Sequence, residues 1–375
     1  MRGKYVIAGI GHTAFGGLPG RSTISLNVEA ARKALADAGI EKDLVDAVLV
    51  KYPTSSFESM YGQKIAEALG LMPHVNFVLD QAGASNIGMI GYAAMAIEHG
   101  QCEVAVVCFA DNPKSGSRAA YSRSRDPNAV FGWFGTPAAY AMVARRHMGE
   151  YGTTYAQLGA VAAACRRHGA QNPNAQLRKP LSVAEYLDQP LMVAPFRRDD
   201  CALVTDGGAA VVVMSLERAR RLKVRAPVAI LGFGQGHTAW DVAQRPDLTT
   251  TMATASAATA FKMAGLGPKD IEVAQIYDCF TITALMTLED YGFCKKGEGG
   301  RFVEGGRIEF GGELPMNTAG GLLSETGMPG LQLVIEGVRQ VRGEATLQVP
   351  NVRHCIVSNQ GGIMHTHATL ILGRP

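Results

Sequence analysis

Three short segments of the sequence place polar or reactive side chains directly after a predicted strand. They are VLDQAGASNIGM (78–89), IYDCFT (276–281) and SNQGGIMHTHATL (358–370). In open α/β sheets, ligands bind beyond the carboxyl ends of the strands, so these segments are where side chains can meet a substrate. The side chains that they carry are suited to proton transfer, because they include a phenol, a thiol, a carboxylate and imidazoles.

The segment 78–89 turns from a strand through small residues into a predicted helix. Free N–H groups at a helix N-terminus favour an anion or a thiolate, so the turn around Gly83 and Ala84 is a candidate binding position. A close-packed strand–helix turn with no ligand is the alternative interpretation.

The segment 276–281 groups Tyr277, Asp278 and Cys279 where a strand meets a helix that Thr281 could cap. All three side chains can handle protons, which makes them candidate catalytic residues. In the alternative interpretation, Cys279 is a small buried apolar residue and Asp278 is a capping carboxylate. The local sequence leaves both interpretations open.

The segment 358–370 contains two histidines, His365 and His367, after a pair of glycines. In a strand the two side chains would point to opposite faces, so at most one of them should face a pocket. His-x-His alone is weak evidence for a metal, and no third ligand lies nearby in the sequence. We therefore predict no metal site and keep His365 as the third candidate for proton transfer.

Short apolar runs alternate with helical patterns over the first hundred residues. The alternation predicts strands at 5–11, 47–51, 75–80 and 103–110 and helices at 25–38, 60–69 and 85–99. Strands and helices in this order imply crossover connections and a mostly parallel sheet that is covered on both faces.

The rest of the sequence predicts an excursion followed by a repeat of the same plan. The excursion, 112–202, is rich in Pro, Arg and Asn, and a strand at 206–215 closes the first half. VAILGFGQG (228–236) then resembles the first strand, and further strands and helices follow in similar order. We predict an internal duplication, with a first half at 1–225 and a second half at 226–375.

Composition excludes several classes of protein. The 375 residues are 47% hydrophobic and 18% charged, with a net charge of +3 and no long basic run that would indicate nucleic-acid binding. No apolar run reaches the roughly 18 residues of a membrane span. The seven cysteines are scattered singly and the sequence starts directly with a predicted strand, so we expect reduced thiols and a cytoplasmic location.

Several longer stretches resemble the thiolase superfamily, most closely its sterol-carrier-protein thiolase and lipid-transfer-protein branch. They include AARKALADAGI, HMGEYGTTYAQLGAV, DCALVTDGGAAVVV, KMAGLGPKDIEVAQIYDCF and NTAGGLLSE, in the order found in that branch. The resemblance covers nearly the whole chain. It implies a duplicated α/β thiolase fold, with two mixed sheets and helices in layers (αβαβα).

The four catalytic blocks of such thiolases can be followed through this sequence. The position of the nucleophilic cysteine is occupied by Gly83, and the position of the histidine that activates it by Gly327. In the second block the resemblance implies Cys279 as the acid/base, whereas the fourth block has Asn-Gln-Gly in place of Cys-x-Gly. Without an activated thiolate no acyl-enzyme can form, so we expect no thiolase chemistry.

Aldolases of steroid side-chain breakdown are similar in lacking the cysteine and in carrying a tyrosine at the position of Tyr277. The resemblance implies retro-aldol cleavage of a β-hydroxyacyl-CoA without a covalent intermediate or bound cofactor, the coenzyme A thioester being the substrate. These relatives tend to carry a second tyrosine at the position of Gly327, and this chain departs from that. We expect the small residues at 83 and 327 to leave space for a bulky β-carbon, and the amides at Gly83 and Ala84 to stabilise the enolate.

The resemblance also implies partners. Such aldolases work with a small subunit that bears an OB-fold and often a zinc ribbon, and thiolase-type folds form homodimers. We expect dimerisation through the edge strand of the first half, placed at 103–110, and no nucleic-acid or membrane partner. The alternative function is that of a non-catalytic acyl-CoA-binding subunit in a heteromeric acyltransferase complex.

Overall fold

The computed structural model describes residues 2–117, 127–133, 135–240, 242–328 and 330–375. The predicted alternation of strands and helices is present in the first part of the chain. Its elements are β1 (Tyr5–His12), α1 (Thr23–Ala38), β2 (Ala47–Lys51), α2 (Tyr61–Leu69), β3 (Val75–Leu79), α3 (Ser85–Glu98) and β4 (Val104–Asp111).

The predicted excursion, 112–202, is largely helical where the structure describes it; residues 118–126 and 134 lie outside the described ranges. A short two-stranded hairpin follows the helices. The elements are α4 (Gly135–Tyr151), α5 (Tyr155–Gln171), α6 (Val183–Leu187), β5 (Leu191–Val193) and β6 (Phe196–Arg197).

The remaining elements repeat the strand–helix pattern of the first part. No helix in the described ranges is long and apolar enough to cross a membrane. The elements are β7 (Gly207–Ser215), α7 (Leu216–Arg221), β8 (Val228–His237), α8 (Ala253–Ala264), β9 (Val273–Gln275), α9 (Thr281–Asp290), α10 (Gly299–Phe302), α11 (Gly321–Ser324), α12 (Leu331–Arg342), β10 (His354–Gly361) and β11 (Thr366–Gly373).

The strand order shows the same plan twice. The main sheet runs β3-β2-β4-β7-β1-β8-β11-β10-β9, so the order β2-β4-β7-β1 in one half corresponds to β9-β10-β11-β8 in the other. Each set begins with a parallel pair and continues with two antiparallel pairs. The duplicated α/β architecture that the sequence predicts is therefore present, and the boundary predicted at 225/226 falls just before β8. The division into two domains remains a prediction.

One detail of the predicted sheet differs from the structure. The two mixed sheets that we expected are joined into one, because Val6 and Ile7 of β1 pair with Ala229 and Val228 of β8. The parallel pairing predicted for the first hundred residues is present, because β2 pairs in parallel with both β3 and β4. Over the whole main sheet, three of the described pairings are parallel and five are antiparallel. Of these antiparallel pairs only β10–β11 is a hairpin with a short connection, whereas β4 and β7 are joined through the excursion and the other antiparallel pairs join strands that are not consecutive in the chain.

Layers of helices cover the sheet because successive strand side chains point to opposite faces. In β2, Leu49 packs into a central core with α3 and α12, whereas Val48 and Val50 pack under α1 and α2. Both α3 and α12 contact strands of the two halves, which places them in the middle layer. The central layer thus brings the segments after β3 and β9 towards each other.

The expected dimer edge at 103–110 is wrong. The strand there, β4, is paired with β2 on one side and with β7 on the other, so its backbone groups are already used. The edge strand of the first half is β3, whose five side chains are all partly exposed. An edge-to-edge contact of the first half would therefore involve residues 75–79.

Candidate active site

The hydroxyl group of Tyr277 lies where a side chain at position 83 would begin. A Cβ atom added to Gly83 would lie 2.5 Å from the Tyr277 oxygen and closer still to the carbonyl oxygen of Gln360. Real Cβ atoms do not approach other heavy atoms so closely, so any residue other than glycine would displace the phenol. The absence of a nucleophilic side chain and the presence of the tyrosine are thus one structural feature.

The backbone around Tyr277 is held by side chains from two other elements. Its N–H group donates to the Ser358 hydroxyl at 2.9 Å, and its carbonyl oxygen accepts from the Thr283 hydroxyl at 3.0 Å. The ring packs against Gly330, where an added Cβ would lie 2.7 Å from a ring carbon. Two glycines from distant parts of the sequence therefore make room for this half-buried phenol.

Cys279 lies beside Tyr277 in the sequence and is also partly exposed. Its sulfur accepts a hydrogen bond from the Gln360 side-chain amide at 3.1 Å and lies 3.9 Å from the Thr283 hydroxyl. Burial raises the pKa of the thiol to about 12, although hydrogen bonds with Tyr140, Thr283 and Gln360 act in the opposite direction. The side chain is thus a neutral thiol near pH 7, which can donate a proton but is a poor nucleophile.

Asp278 points away from these two side chains. Its buried carboxylate accepts from the N–H groups of Leu322 and Leu323, at 2.7 and 3.3 Å, and from the Cys165 thiol at 3.3 Å. Burial raises the pKa of this carboxyl group to about 6. Its contacts fix α11 against α5, so the structure does not bring it together with Tyr277 and Cys279 as a third reacting group.

The space expected at the two small residues is absent, and that prediction is wrong. At Gly83 the tyrosine hydroxyl fills the position, and at Gly327 an added Cβ would overlap the carbonyl oxygen of Leu203. The amide N–H of Ala84 is also not available for an enolate, because it donates to the carbonyl oxygen of Gln81 at 3.2 Å. The loop between α11 and α12 lies so close to Leu203 that no side chain longer than that of glycine fits at position 327.

The two histidines have different surroundings, although only His367 lies in a strand. His365 lies in the turn before β11, where its Nδ1 accepts from the Ile363 N–H at 3.0 Å and its ring lies 5.2 Å from that of Trp240. His367 is buried on β11 beside the Tyr291 hydroxyl, at 3.1 Å, and burial lowers its pKa to about 3. Within the described residues, no group of three His, Cys, Asp or Glu could hold a metal ion.

Two residues near Cys279 were missed in the sequence. Gln360 reaches the thiol from β10, and Tyr140 reaches the same region from α4, in the excursion. The Tyr140 ring stacks on Phe280 at 4.4 Å, and its hydroxyl donates to the carbonyl oxygen of Gly362 at 2.5 Å. Burial raises the pKa of Tyr140 well above its usual value, and the neighbouring Cys279 adds to this. Gln360 stood inside a recognised block and could have been noticed, whereas no sequence signal connected Tyr140 to the site.

Comparisons with known proteins show what the chain is similar to. A family model described as thiolase C-terminal domain-like matches residues 234–374. The chain is 36% identical to the 17-hydroxy-3-oxo-4-pregnene-20-carboxyl-CoA lyase of Mycobacterium tuberculosis, over 100% of both chains. It is also 36% identical to the steroid side-chain-cleaving aldolase of Thermomonospora curvata, over 100% of this chain and 98% of that one.

Among solved structures, an Ltp2-ChsH2(DUF35) aldolase matches with a TM-score of 0.90 and 35% identity, over 100% of this chain and 98% of that one. Both sequence relatives match from end to end, so the similarity is not restricted to one half. The predicted resemblance to thiolases without the cysteine is confirmed. This chain belongs to the thiolase superfamily.

Proposed function

We propose that this chain is a carbon–carbon lyase that cleaves a β-hydroxyacyl-CoA by a retro-aldol reaction, without a covalent intermediate. The observation that carries the proposal is the Tyr277 hydroxyl at the position of the missing nucleophile, next to the neutral thiol of Cys279. Two proton-handling groups replace a nucleophile and its activating base. The relatives named lyase and aldolase support the same reaction class.

The reaction needs proton transfer at two atoms and no second substrate. The β-hydroxyl group loses its proton, the bond between the α- and β-carbons breaks, and its electrons form the enolate of the departing acyl-CoA. The α-carbon then takes up a proton, which gives a ketone or aldehyde and a shorter acyl-CoA. We assign removal of the β-hydroxyl proton to Tyr277 in its phenolate form and protonation of the α-carbon to the thiol of Cys279. The phenol and the thiolate that result then exchange a proton, which restores both groups for the next turnover.

The substrate class follows from the relatives rather than from the pocket. The Mycobacterium tuberculosis protein is named for a hydroxylated steroid carboxyl-CoA, so we propose a branched, bulky β-hydroxyacyl-CoA and would test steroid thioesters first. Positions 83 and 327 do not provide the room for it. The acyl group must instead approach from the partly exposed side of Tyr277 and Cys279.

We also propose a homodimer that works with a small partner subunit in a reducing compartment such as the cytoplasm. The solved aldolase is named together with a DUF35 component, which supports the partner. All seven cysteines are free, which supports the compartment.

The test is a pair of assays on the purified protein with and without its partner subunit. We expect release of a ketone or aldehyde from a branched β-hydroxyacyl-CoA, and no cleavage of acetoacetyl-CoA by free coenzyme A. Thiolysis at ordinary thiolase rates would contradict the proposal. Acyl-CoA binding without any cleavage in the complete complex would instead identify a non-catalytic subunit.

A further inference from the structure

Gln360 connects the two positions on which the proposed reaction depends. Its backbone carbonyl oxygen packs against Gly83, where the hydroxyl of Tyr277 also lies. Its side-chain nitrogen donates to the sulfur of Cys279 at 3.1 Å. The residue is 2% exposed and belongs to β10, so a rigid strand rather than a loop holds it between the phenol and the thiol.

The other atom of this amide has no hydrogen-bond partner among the described residues. The Gln360 Oε1 atom is buried and lies on the same planar group as the nitrogen that contacts Cys279. A buried acceptor without a donor costs about 1–3 kcal/mol, so native proteins seldom retain one without a purpose. The Gln360 oxygen is therefore a candidate acceptor for a hydrogen bond from a ligand.

Two other buried acceptors near the site differ from Gln360. The amide nitrogens of Asn86 and Asn359 donate to the backbone carbonyl oxygens of Gly83 and Gly330, at 3.0 and 3.2 Å. Their Oδ1 atoms also lack partners among the described residues, but neither side chain has a recorded contact with Cys279. Both of these amides donate to backbone carbonyl oxygens, whereas the amide of Gln360 donates to a reactive side chain.

We propose that Gln360 recognises the β-hydroxyl group of the bound substrate, its nitrogen fixed on Cys279 and its oxygen accepting the hydrogen bond of that hydroxyl. Rotation about the C–O bond then turns the same O–H towards Tyr277 for proton transfer. This inference rests on the proposed function. Near the bond that breaks, the thioester carbonyl offers only acceptors, and the β-hydroxyl is the O–H donor. The same amide therefore aligns the scissile bond with the thiol that protonates the α-carbon.

The binding test uses two coenzyme A thioethers that cannot be cleaved because they lack the thioester carbonyl. One is S-(3-hydroxy-3-methylbutyl)-CoA and the other is S-(3-methylbutyl)-CoA, which lacks the hydroxyl. We expect the protein, with its partner subunit where the two purify together, to bind the hydroxylated probe about tenfold more tightly in calorimetry. Gln360→Leu should reduce this preference to less than twofold.

Gln275→Leu is the matched control. Gln275 is also buried, its nitrogen donates to the Thr318 hydroxyl at 3.0 Å, and its oxygen likewise has no partner among the described residues. It lies on the neighbouring strand β9 and, among the described residues, makes no hydrogen bond to Cys279. The control should keep the tenfold preference, and a preference retained by Gln360→Leu would overturn the proposal.

A second arm needs no substrate. The rate of Cys279 alkylation by iodoacetamide at pH 9.5, followed by mass spectrometry of the peptide, should fall several-fold in Gln360→Leu, because the thiolate loses a donor. The alkylation rate should fall further in Gln360→Glu, because the negative charge of the carboxylate disfavours the thiolate. This variant should still prefer the hydroxylated probe, because a carboxylate can accept a hydrogen bond from a hydroxyl group. Equal alkylation rates in wild type and both variants would contradict the contact with the thiol.

The outcomes separate this inference from the proposed function. If the wild-type protein cleaves no β-hydroxyacyl-CoA but prefers the hydroxylated probe, and Gln360→Leu lacks that preference, the role of Gln360 stands and the lyase proposal fails. If wild type cleaves and the variant keeps its preference, the lyase proposal stands and the role of Gln360 fails. Should Gln360→Leu not fold by circular dichroism, Gln360→Met, which also lacks the amide, takes its place in the comparison of the two probes.

Discussion

Tyr277 occupies the position of a reactive side chain at residue 83. It is not added to a nucleophile and an activating base that are already present. The phenol oxygen lies where a side chain at position 83 would begin, and the residue is only half-buried. This arrangement explains why two changes, a tyrosine at 277 and a glycine at 83, occur together in one chain. Each of them is unfavourable without the other.

The first prediction concerns that phenol. Tyr277→Phe should lower kcat for the cleavage by about 10²–10⁴-fold, because a group that handles protons in the transition state contributes that much. The ring remains, so the melting temperature and acyl-CoA affinity should change little. Tyr92→Phe, which removes a hydroxyl bonded to Gln235 at 2.8 Å, is the control for loss of a phenol. Full activity in Tyr277→Phe would make the tyrosine structural and direct attention to Cys279 and His365.

The second prediction concerns the glycine opposite that phenol. Gly83→Ala should lower the free energy of unfolding by about 1–3 kcal/mol and abolish cleavage, since the added methyl group overlaps Tyr277 and the Gln360 backbone. Gly149→Ala is the matched control, because nothing lies within 4 Å of an added Cβ there. Urea unfolding curves measure both variants. Unchanged stability in Gly83→Ala would mean that the contact between the phenol and position 83 is loose.

At the scale of the elements, most boundaries could be predicted because local physics sets them. Helices α1 and α2 end at Gly39 and Gly70, both in the left-handed conformation that glycine adopts easily, and β2 has the predicted bounds 47–51. The chemistry after β9 was also visible, as a cluster of ionisable residues. The orientation of the side chains in this cluster could not be predicted, because the direction of the Asp278 side chain depends on its contact with α11, which is distant in the sequence.

The parts that could not be predicted all depend on pairing between distant segments. No local pattern states that β4 is interior or that β1 pairs with β8, because strand order is decided by packing of the whole sheet. The same holds for Tyr140, which reaches the site only because α4 packs its ring on Phe280. The missing space at Gly327 likewise results from the approach of Leu203, more than a hundred residues earlier.

The third prediction concerns the junction between α5, α11 and α12. The buried carboxyl group of Glu325 accepts from Asn172 and Gln332 at 2.9 and 2.6 Å. Burial and the neighbouring Glu336 raise its pKa to about 8, so the folded protein holds a proton that the unfolded chain releases. Stability contributed by this proton is present at low pH and is lost as the pH rises from about 4.5 to 8.

Glu325→Gln keeps a neutral group of the same shape, so its free energy of unfolding should decline less over that range. The difference from wild type at pH 8 should be on the order of a few kcal/mol in favour of the variant. Denaturant unfolding at several pH values measures it, with the exposed Glu67→Gln of α2 as the control. Parallel curves for wild type and Glu325→Gln would show that the carboxyl group is ionised in the fold.

For the whole molecule, the exposed edge of the sheet determines how two copies can meet. Within the described part of the chain, strand β3 is paired only with β2, and it carries partly exposed apolar side chains such as Phe77. Edge strands of this kind associate with other strands unless they are protected. In the proposed homodimer, the sheet of one copy should therefore continue into the sheet of the other through residues 75–79.

The fourth prediction follows from that edge. Wild type should be a dimer by light scattering at micromolar concentration, and Val78→Pro should shift it towards monomer, because proline removes a donor and obstructs strand pairing. Ala258→Lys, on the exposed face of α8, should leave the dimer intact. A wild-type monomer at these concentrations would be evidence against the dimer, and a dimeric Val78→Pro would move the interface elsewhere.

The seam between β1 and β8 has a topological consequence. Ala229 pairs with Val6 on one side and with Gly373 on the other, so the first and last strands flank the same residue. Strands are about 5 Å apart, which places these two strands roughly 10 Å from each other, within reach of a linker of about four residues. Joining them and reopening the chain between residues 225 and 226 would give a circular permutant in which the second half is translated first. We expect the permutant to fold and to cleave the same thioester as the original chain, because the site depends on which strands are neighbours and not on which is made first. A permutant that unfolds at a much lower urea concentration would show that the pairing of β1 with β8 needs a continuous connection from α7 into β8.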